Sequence, residues 1–225
     1  VSSILEIARK IQRRIPVPKV AEPIEAFAVA VDIAPDAAVV CVLERTTVVS
    51  GKMQQQTPYE FPRFVSASRK LFHVRHLERL PPDYPKIIEA VSLLLESLPP
   101  ARMPPALVIN LTDIGRPVVT LMNKAGLRPI AVTIADGAAE HRVASNEYRV
   151  PAKDLAGTLA VLLQSDRFKI SADLIEAEAL TSELGNLDAG TDWKDSNGLS
   201  LAVCLAAWWG ERMMPTPKIE FTMAR

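Results

Sequence analysis

Apolar positions change period several times along this chain, and each change marks an element. Residues 27–33 and 37–43 are nearly continuous apolar runs separated by Ala34, Pro35 and Asp36. Short runs of this kind, bounded by turn residues, predict two neighbouring strands. Residues 70–78 alternate loosely through Leu71, His73, Arg75 and Leu77, which predicts a third strand with one wet face; strict alternation would put His73 and His76 on opposite faces. From 84 to 98 the period lengthens: Ile87, Ile88, Val91, Leu94, Leu95 and Leu98 fall at helical spacing, and two Pro-Pro pairs follow. A helix that stops near 98 is expected. Residues 107–109 then read as a buried strand, 112–116 as a polar turn, and Pro117 as part of the first turn of a helix that runs to about Ala125, with Gly126 as its stop. The same reasoning predicts a strand over 128–134, a polar loop over 135–148, a helix from Pro151 through Ser165, a brief strand at 168–170 and an acidic amphipathic helix from Asp173 to about Leu184. Residues 185–198 are rich in turn formers, and 199–212 are apolar nearly all round, so the last helix should be buried. Residues 46–70, with Gly51, three glutamines and two prolines, are expected to form a polar insertion that is mobile or wraps the surface.

The order is three strands, helix, strand, helix, strand, then helices. It predicts an α/β fold with a mixed sheet and helices on both faces. This is the ribonuclease H-like arrangement, an antiparallel three-strand meander with parallel strands added beside the first. Residues 3–14 form a predicted basic amphipathic helix, and Pro16, Pro18 and Pro23 an extended linker. The expected organisation is an arm over 1–24, one domain over 25–212 and a tail over 213–225.

Composition narrows this only a little. The chain has 225 residues, 48% of them hydrophobic, and its 26 basic residues balance its 26 acidic ones. It can bury a sizeable core, and its net charge implies no polyanionic partner. Basic residues concentrate in the first twenty positions and in 63–79, acidic ones in 173–195; solvated faces of separate elements account for this as well as an oriented anionic ligand does. Cys41 and Cys204 lie far apart in apolar runs without metal-ligand spacing, as suits buried thiols in a reducing compartment. No apolar run approaches the roughly 18 residues of a membrane span, and the first residues lack a signal peptide's apolar core. The expectation is a soluble cytoplasmic protein with no membrane partner.

Asn110 closes a predicted strand beside a helix start, where sheet-based enzymes place their chemistry. In a ribonuclease H-like sheet that chemistry is two-metal phosphodiester hydrolysis. Two divalent ions about 4 Å apart repel each other by roughly 17 kcal/mol at an effective dielectric near 20, so several carboxylates must gather to hold them. The first-strand position holds Asp32, the fourth-strand position Asn110, and the start of the late helix Asn197 and Gly198. Taken alone, Asp32 fits a turn former or helix cap as well as a ligand. Trp208 and Trp209 could offer a stacking surface for bases, although their place in an apolar helix favours core packing.

Residues 110–118, Asn-Leu-Thr-Asp-Ile-Gly-Arg-Pro-Val, resemble the Asp-Ala-Thr-Gly-Val-Gly-Arg-Pro-Val motif in the nuclease domain of phage terminase large subunits and their prophage relatives. The resemblance runs in order through residues 26–45, 76–79, 126–130, 149–155, 162–170 and 199–212. It implies a metal-dependent DNA endonuclease fold that uses Mg²⁺ or Mn²⁺, with double-stranded DNA and phage packaging proteins as partners. Asp32 matches the family's first aspartate and Asp36 a second nearby acid, and these two are the implied metal ligands. The other catalytic positions are substituted, by Asn110 on the fourth strand and by Asn197 and Gly198 at the last helix. Asp113 and Asp195, three and two residues from the altered positions, are candidate substitutes. The amides cannot neutralise a cation, so the resemblance implies a degenerate active site with impaired hydrolysis, or a non-catalytic DNA-binding or protein-interaction module that keeps the fold. The sequence has no Gly-x-x-x-x-Gly-Lys-Ser/Thr phosphate loop, only Ser50, Gly51 and Lys52 in a polar stretch, and no nucleotide ligand is expected.

Overall fold

The computed structural model describes residues 24–54, 63–112, 115–135, 137, 139–185 and 198–213. The predicted N-terminal helix and linker, Asp113, Asp195, Asn197 and the tail beyond Met213 lie outside the described residues. Strands β1 (Ile24–Ile33), β2 (Ala38–Gln54) and β3 (Arg63–Leu80) come first, then helix α1 (Tyr84–Ser97), β4 (Ala106–Asn110), α2 (Gly115–Lys124) and β5 (Ile130–Ala135). Strands β6 (His141–Ala144) and β7 (Glu147–Pro151) follow, and the described chain closes with α3 (Ala152–Gln164), β8 (Phe168–Ile170), α4 (Ala177–Gly185) and α5 (Leu199–Arg212). All eight strands join one sheet in the order β6-β7-β5-β4-β1-β2-β3-β8. Strands β1, β2 and β3 are an antiparallel meander, and β4 and β5 add parallel beside β1. This is the ribonuclease H-like mixed sheet expected from the sequence.

Strand β1 shows why its sequence is an unbroken apolar run: every residue from Glu25 to Ile33 is buried. Its two faces are covered differently. Ala26, Ala28 and Ala30 belong to a core shared with α3, α4 and α5, whereas Phe27, Val29, Val31 and Ile33 belong to a core shared with α1 and α2. Small side chains on the first face let α5 approach closely, and α5 answers with Ala202, Ala206 and Ala207. Period two places Asp32 on that alanine face, under α5. Helix α1 is capped by Asp83, whose carboxylate accepts from the Lys86 amide at 3.3 Å. Helix α2 ends on Gly126 at φ +84°, with the Leu127 amide donating back to the Met122 carbonyl at 3.0 Å, a left-handed stop of the kind that glycine permits.

Four expectations need correction. Much of 46–70 is not an irregular insertion: β2 and β3 stay paired from Ala38↔Leu80 to Gln54↔Arg63, a two-stranded ribbon. Backbone pairing needs no apolar alternation, so a ribbon of irregularly mixed polar and apolar residues leaves little trace in the hydrophobic pattern. The polar loop over 135–148 contains β6 and the start of β7, a hairpin at the sheet edge. The acidic helix begins at Ala177, with Asp173 in the preceding turn.

His73 and His76 also differ from strict alternation. The register steps from Val42↔His76 to Leu43↔Val74, leaving Arg75 as an extra residue in β3. That bulge turns both histidines to the same side of the sheet. They keep separate partners: His73 Nε2 lies 3.2 Å from Ser171 Oγ, and His76 Nε2 lies 3.2 Å from Glu78 Oε2. Burial and the neighbouring Arg75 hold the His73 imidazole below its ordinary pKa. Arg75 itself grips Glu44 through two bonds, Nε to Oε2 at 3.0 Å and Nη2 to Oε1 at 2.8 Å.

Candidate functional site

The site lies where β1 and β4 end side by side under the start of α5. Parallel pairing sets Val31 beside Ile109, so the next residues, Asp32 and Asn110, meet on the α5 face. Both are buried, at 6% and 7% exposure. Asn110 Nδ2 donates to Asp32 Oδ1 at 2.8 Å. Its Oδ1 accepts from the Thr112 amide at 3.0 Å and from Thr112 Oγ at 2.6 Å. Thr112 Oγ in turn accepts from the Ile134 amide of β5 at 3.1 Å. A relay therefore runs from β5 through Thr112 and Asn110 to Asp32.

The orientation of the Asn110 amide follows from this relay. A backbone N–H can only donate, so the Asn110 atom facing the Thr112 amide must be the oxygen. The nitrogen is left to face Asp32. Reversing the amide would set two donors against each other and leave the Asp32 oxygen opposite another acceptor.

Gly198 forms the other wall. It precedes α5 with φ +81°, and a Cβ built there would come within 3.1 Å of Asp32 Oδ2 and 3.2 Å of Val39 Cγ2. A side chain at position 198 would therefore crowd Asp32 and Val39, and a carboxylate there would also face the Asp32 charge. The Asp32 carboxylate instead packs against the positive end of a 14-residue helix. Glu183 of α4 serves the same helix end, accepting from the Ser200 amide at 2.9 Å, and Arg79 of β3 reaches Glu183 Oε1 at 3.4 Å and Glu176 Oε1 at 3.5 Å. Replacing Gly198 by alanine combines a left-handed backbone with this contact, and is expected to destabilise the protein by about 1–3 kcal/mol, read as a lowered urea midpoint.

Of the residues singled out in the sequence, the structure brings together Asp32, Asn110 and Gly198. Asp36 is exposed in the turn between β1 and β2, closed by the Ala34 amide to the Ala37 carbonyl at 2.9 Å. Thr112, Arg79 and Glu183 were missed. The Thr112 contact had a sequence signal, since asparagine side chains accept from the amide two residues on. Arg79 and Glu183 lie 104 residues apart, and no local pattern joins them.

Among the described residues, the donor set does not fit the divalent cation implied by the resemblance. A hard cation takes anionic or carbonyl oxygens. Here the Asn110 oxygen is occupied by two Thr112 donors, and its N–H is aimed at the Asp32 carboxylate. Among the described residues no three His, Cys, Asp or Glu side chains gather in a ligand-like group. Cys41 and Cys204 are buried free thiols in the core, and burial pushes both well above the ordinary thiol pKa.

This chain is similar in structure to the human cytomegalovirus terminase nuclease domain in a Mn-soaked form. The match covers 88% of this chain and 92% of that one, at 12% sequence identity and a TM-score of 0.48. No family model matches the sequence, and no curated protein does. No helix among the described residues is long and apolar enough to cross a membrane.

Proposed function

We propose that this chain is a terminase-like nuclease domain of phage or prophage descent that has lost efficient DNA hydrolysis and serves as a non-catalytic DNA-binding module. The fold supports the descent, and the 110–118 motif resembles that family. The observation that carries the loss of hydrolysis is the bond from Asn110 Nδ2 to Asp32 Oδ1 at 2.8 Å. In the two-metal reaction this place must offer oxygens and negative charge to offset an ion–ion repulsion of roughly 17 kcal/mol. Among the described residues the site offers the Asp32 carboxylate, which already accepts from an amide and lies at a helix start, a poor counterweight. Asp32 is kept, in this reading, because it holds β1, β4 and α5 together.

Supercoiled plasmid with Mn²⁺ tests the proposal, with the parent protein beside an Asp32→Ala variant. Neither should nick the plasmid above buffer. Duplex affinity measured in EDTA should persist, falling with salt by roughly 0.9 logarithmic units per phosphate neutralised. Nicking by the parent that vanishes in Asp32→Ala would sink the loss of hydrolysis, and absence of any salt-dependent duplex binding would sink the DNA-binding role.

A further inference from the structure

We infer that Asn110 is what frees this fold from a divalent cation, so that the site is one side-chain atom away from depending on one. The inference rests on the proposed reading that Asp32 is structural, and extends it to the stability of the whole domain. The described chain already sets compensating groups against Asp32. Asn110 Nδ2 donates to one oxygen, and the start of α5 at Gly198 packs at the other. The relay through Thr112 holds Asn110 from the far side.

Exchanging that amide nitrogen for oxygen changes little in shape. The Thr112 donors would still bond the near oxygen of an aspartate, and its far oxygen would fall where Nδ2 now sits, 2.8 Å from Asp32 Oδ1. Two buried anionic oxygens at that distance repel each other strongly. The same distance is close to the roughly 2.9 Å edge of an octahedron with bonds of 2.0–2.1 Å, the geometry that Mg²⁺ requires. The pair would thus be badly placed without a cation and well placed with one. Asparagine removes both the repulsion and the need.

The test is thermal unfolding of the parent, Asn110→Asp, Asp32→Asn and the double variant Asp32→Asn with Asn110→Asp, each in EDTA and in millimolar Mn²⁺. The parent should unfold at the same temperature in both. Asn110→Asp should melt roughly 10 °C lower in EDTA, a shift of the size that loss of a few kcal/mol gives a domain of this length, and should recover most of that in Mn²⁺. The double variant, with one charge again, should not respond to Mn²⁺. A parent whose melting temperature rises in Mn²⁺, with the rise lost in Asp32→Asn, would overturn the inference, as would an Asn110→Asp variant as stable as the parent in EDTA. If Asn110→Asp fails to fold, the parent and Asp32→Asn still decide: equal melting of each with and without Mn²⁺ supports cation independence, and an Asp32-dependent shift refutes it. Plasmid nicking is scored separately, so loss of the proposed function and loss of this inference give different results.

Discussion

Arg45→Ala is expected to lower the unfolding free energy by about 3–5 kcal/mol, the usual cost of removing one partner of a buried ion pair. Arg45 is 1% exposed. Its Nε lies 3.2 Å from Glu25 Oε2, and its Nη1 donates to the Gly210 carbonyl at 2.7 Å and to the Met213 carbonyl. Burial pulls the guanidinium below its ordinary pKa, and Glu25 and Glu211 oppose that shift. Alanine would leave Glu25 buried with Thr47 as its remaining neutral partner and would strip the last carbonyls of α5 of their donor. Urea unfolding should show a lower midpoint with the slope unchanged. Pairing Arg45→Met with Glu25→Leu should recover much of the loss, because no unpaired charge is then buried. If Arg45→Ala costs less than about 1 kcal/mol, the size of an exposed pair, the buried clamp has been misjudged.

The same hairpin thus supplies a charge to each end of α5. Asp32 of β1 lies at the helix start and Arg45 of β2 at its close, the signs that the helix dipole favours. A helix apolar nearly all round needs little else to fix its position. This gives Asp32 a reason to persist without a cation.

How much of this was legible follows from range. Helix α5, α1 and the strands β1, β4 and β8 were visible because apolar period is a local property: the residues that set it are neighbours in sequence. The meander and the parallel additions followed from element order. The Asp32–Asn110 juxtaposition was legible as a family position, and its meaning changed with one atom, an amide nitrogen where an oxygen would ligate. The ribbon of β2 and β3 escaped because its cross-strand pairs mix polar and apolar residues without a regular alternation, and the bulge at Arg75 because an extra residue shifts register without altering composition. The clamp by Arg45 joins residues 165 apart, and only the folded chain brings them together.

Trp208→Ala should cost a similar amount, about 3–5 kcal/mol, as expected for emptying a large aromatic from a close-packed core. Trp208 is fully buried, its ring 5.6 Å from Tyr148 in an edge-on contact, and the Arg212 guanidinium lies 4.3 Å from its centroid. Its Nε1 donates to Glu140 Oε2 at 2.9 Å. Glu140 also holds Arg212, and it immediately precedes β6, so this contact ties the edge hairpin to the close of α5. Trp208→Phe keeps most of the packing and loses the N–H, and should cost nearer 1 kcal/mol. Hydrogen exchange should then show the amides of β6 and β7 opening first, ahead of β1 and β4. The alanine variant also separates two roles for the tryptophan pair. A stacking platform for bases would lose duplex or single-strand affinity in proportion to the missing ring, by about 1–3 kcal/mol per base. A core residue leaves the affinity of the folded fraction unchanged and moves only the unfolding midpoint, and complete burial of Trp208 requires the second result.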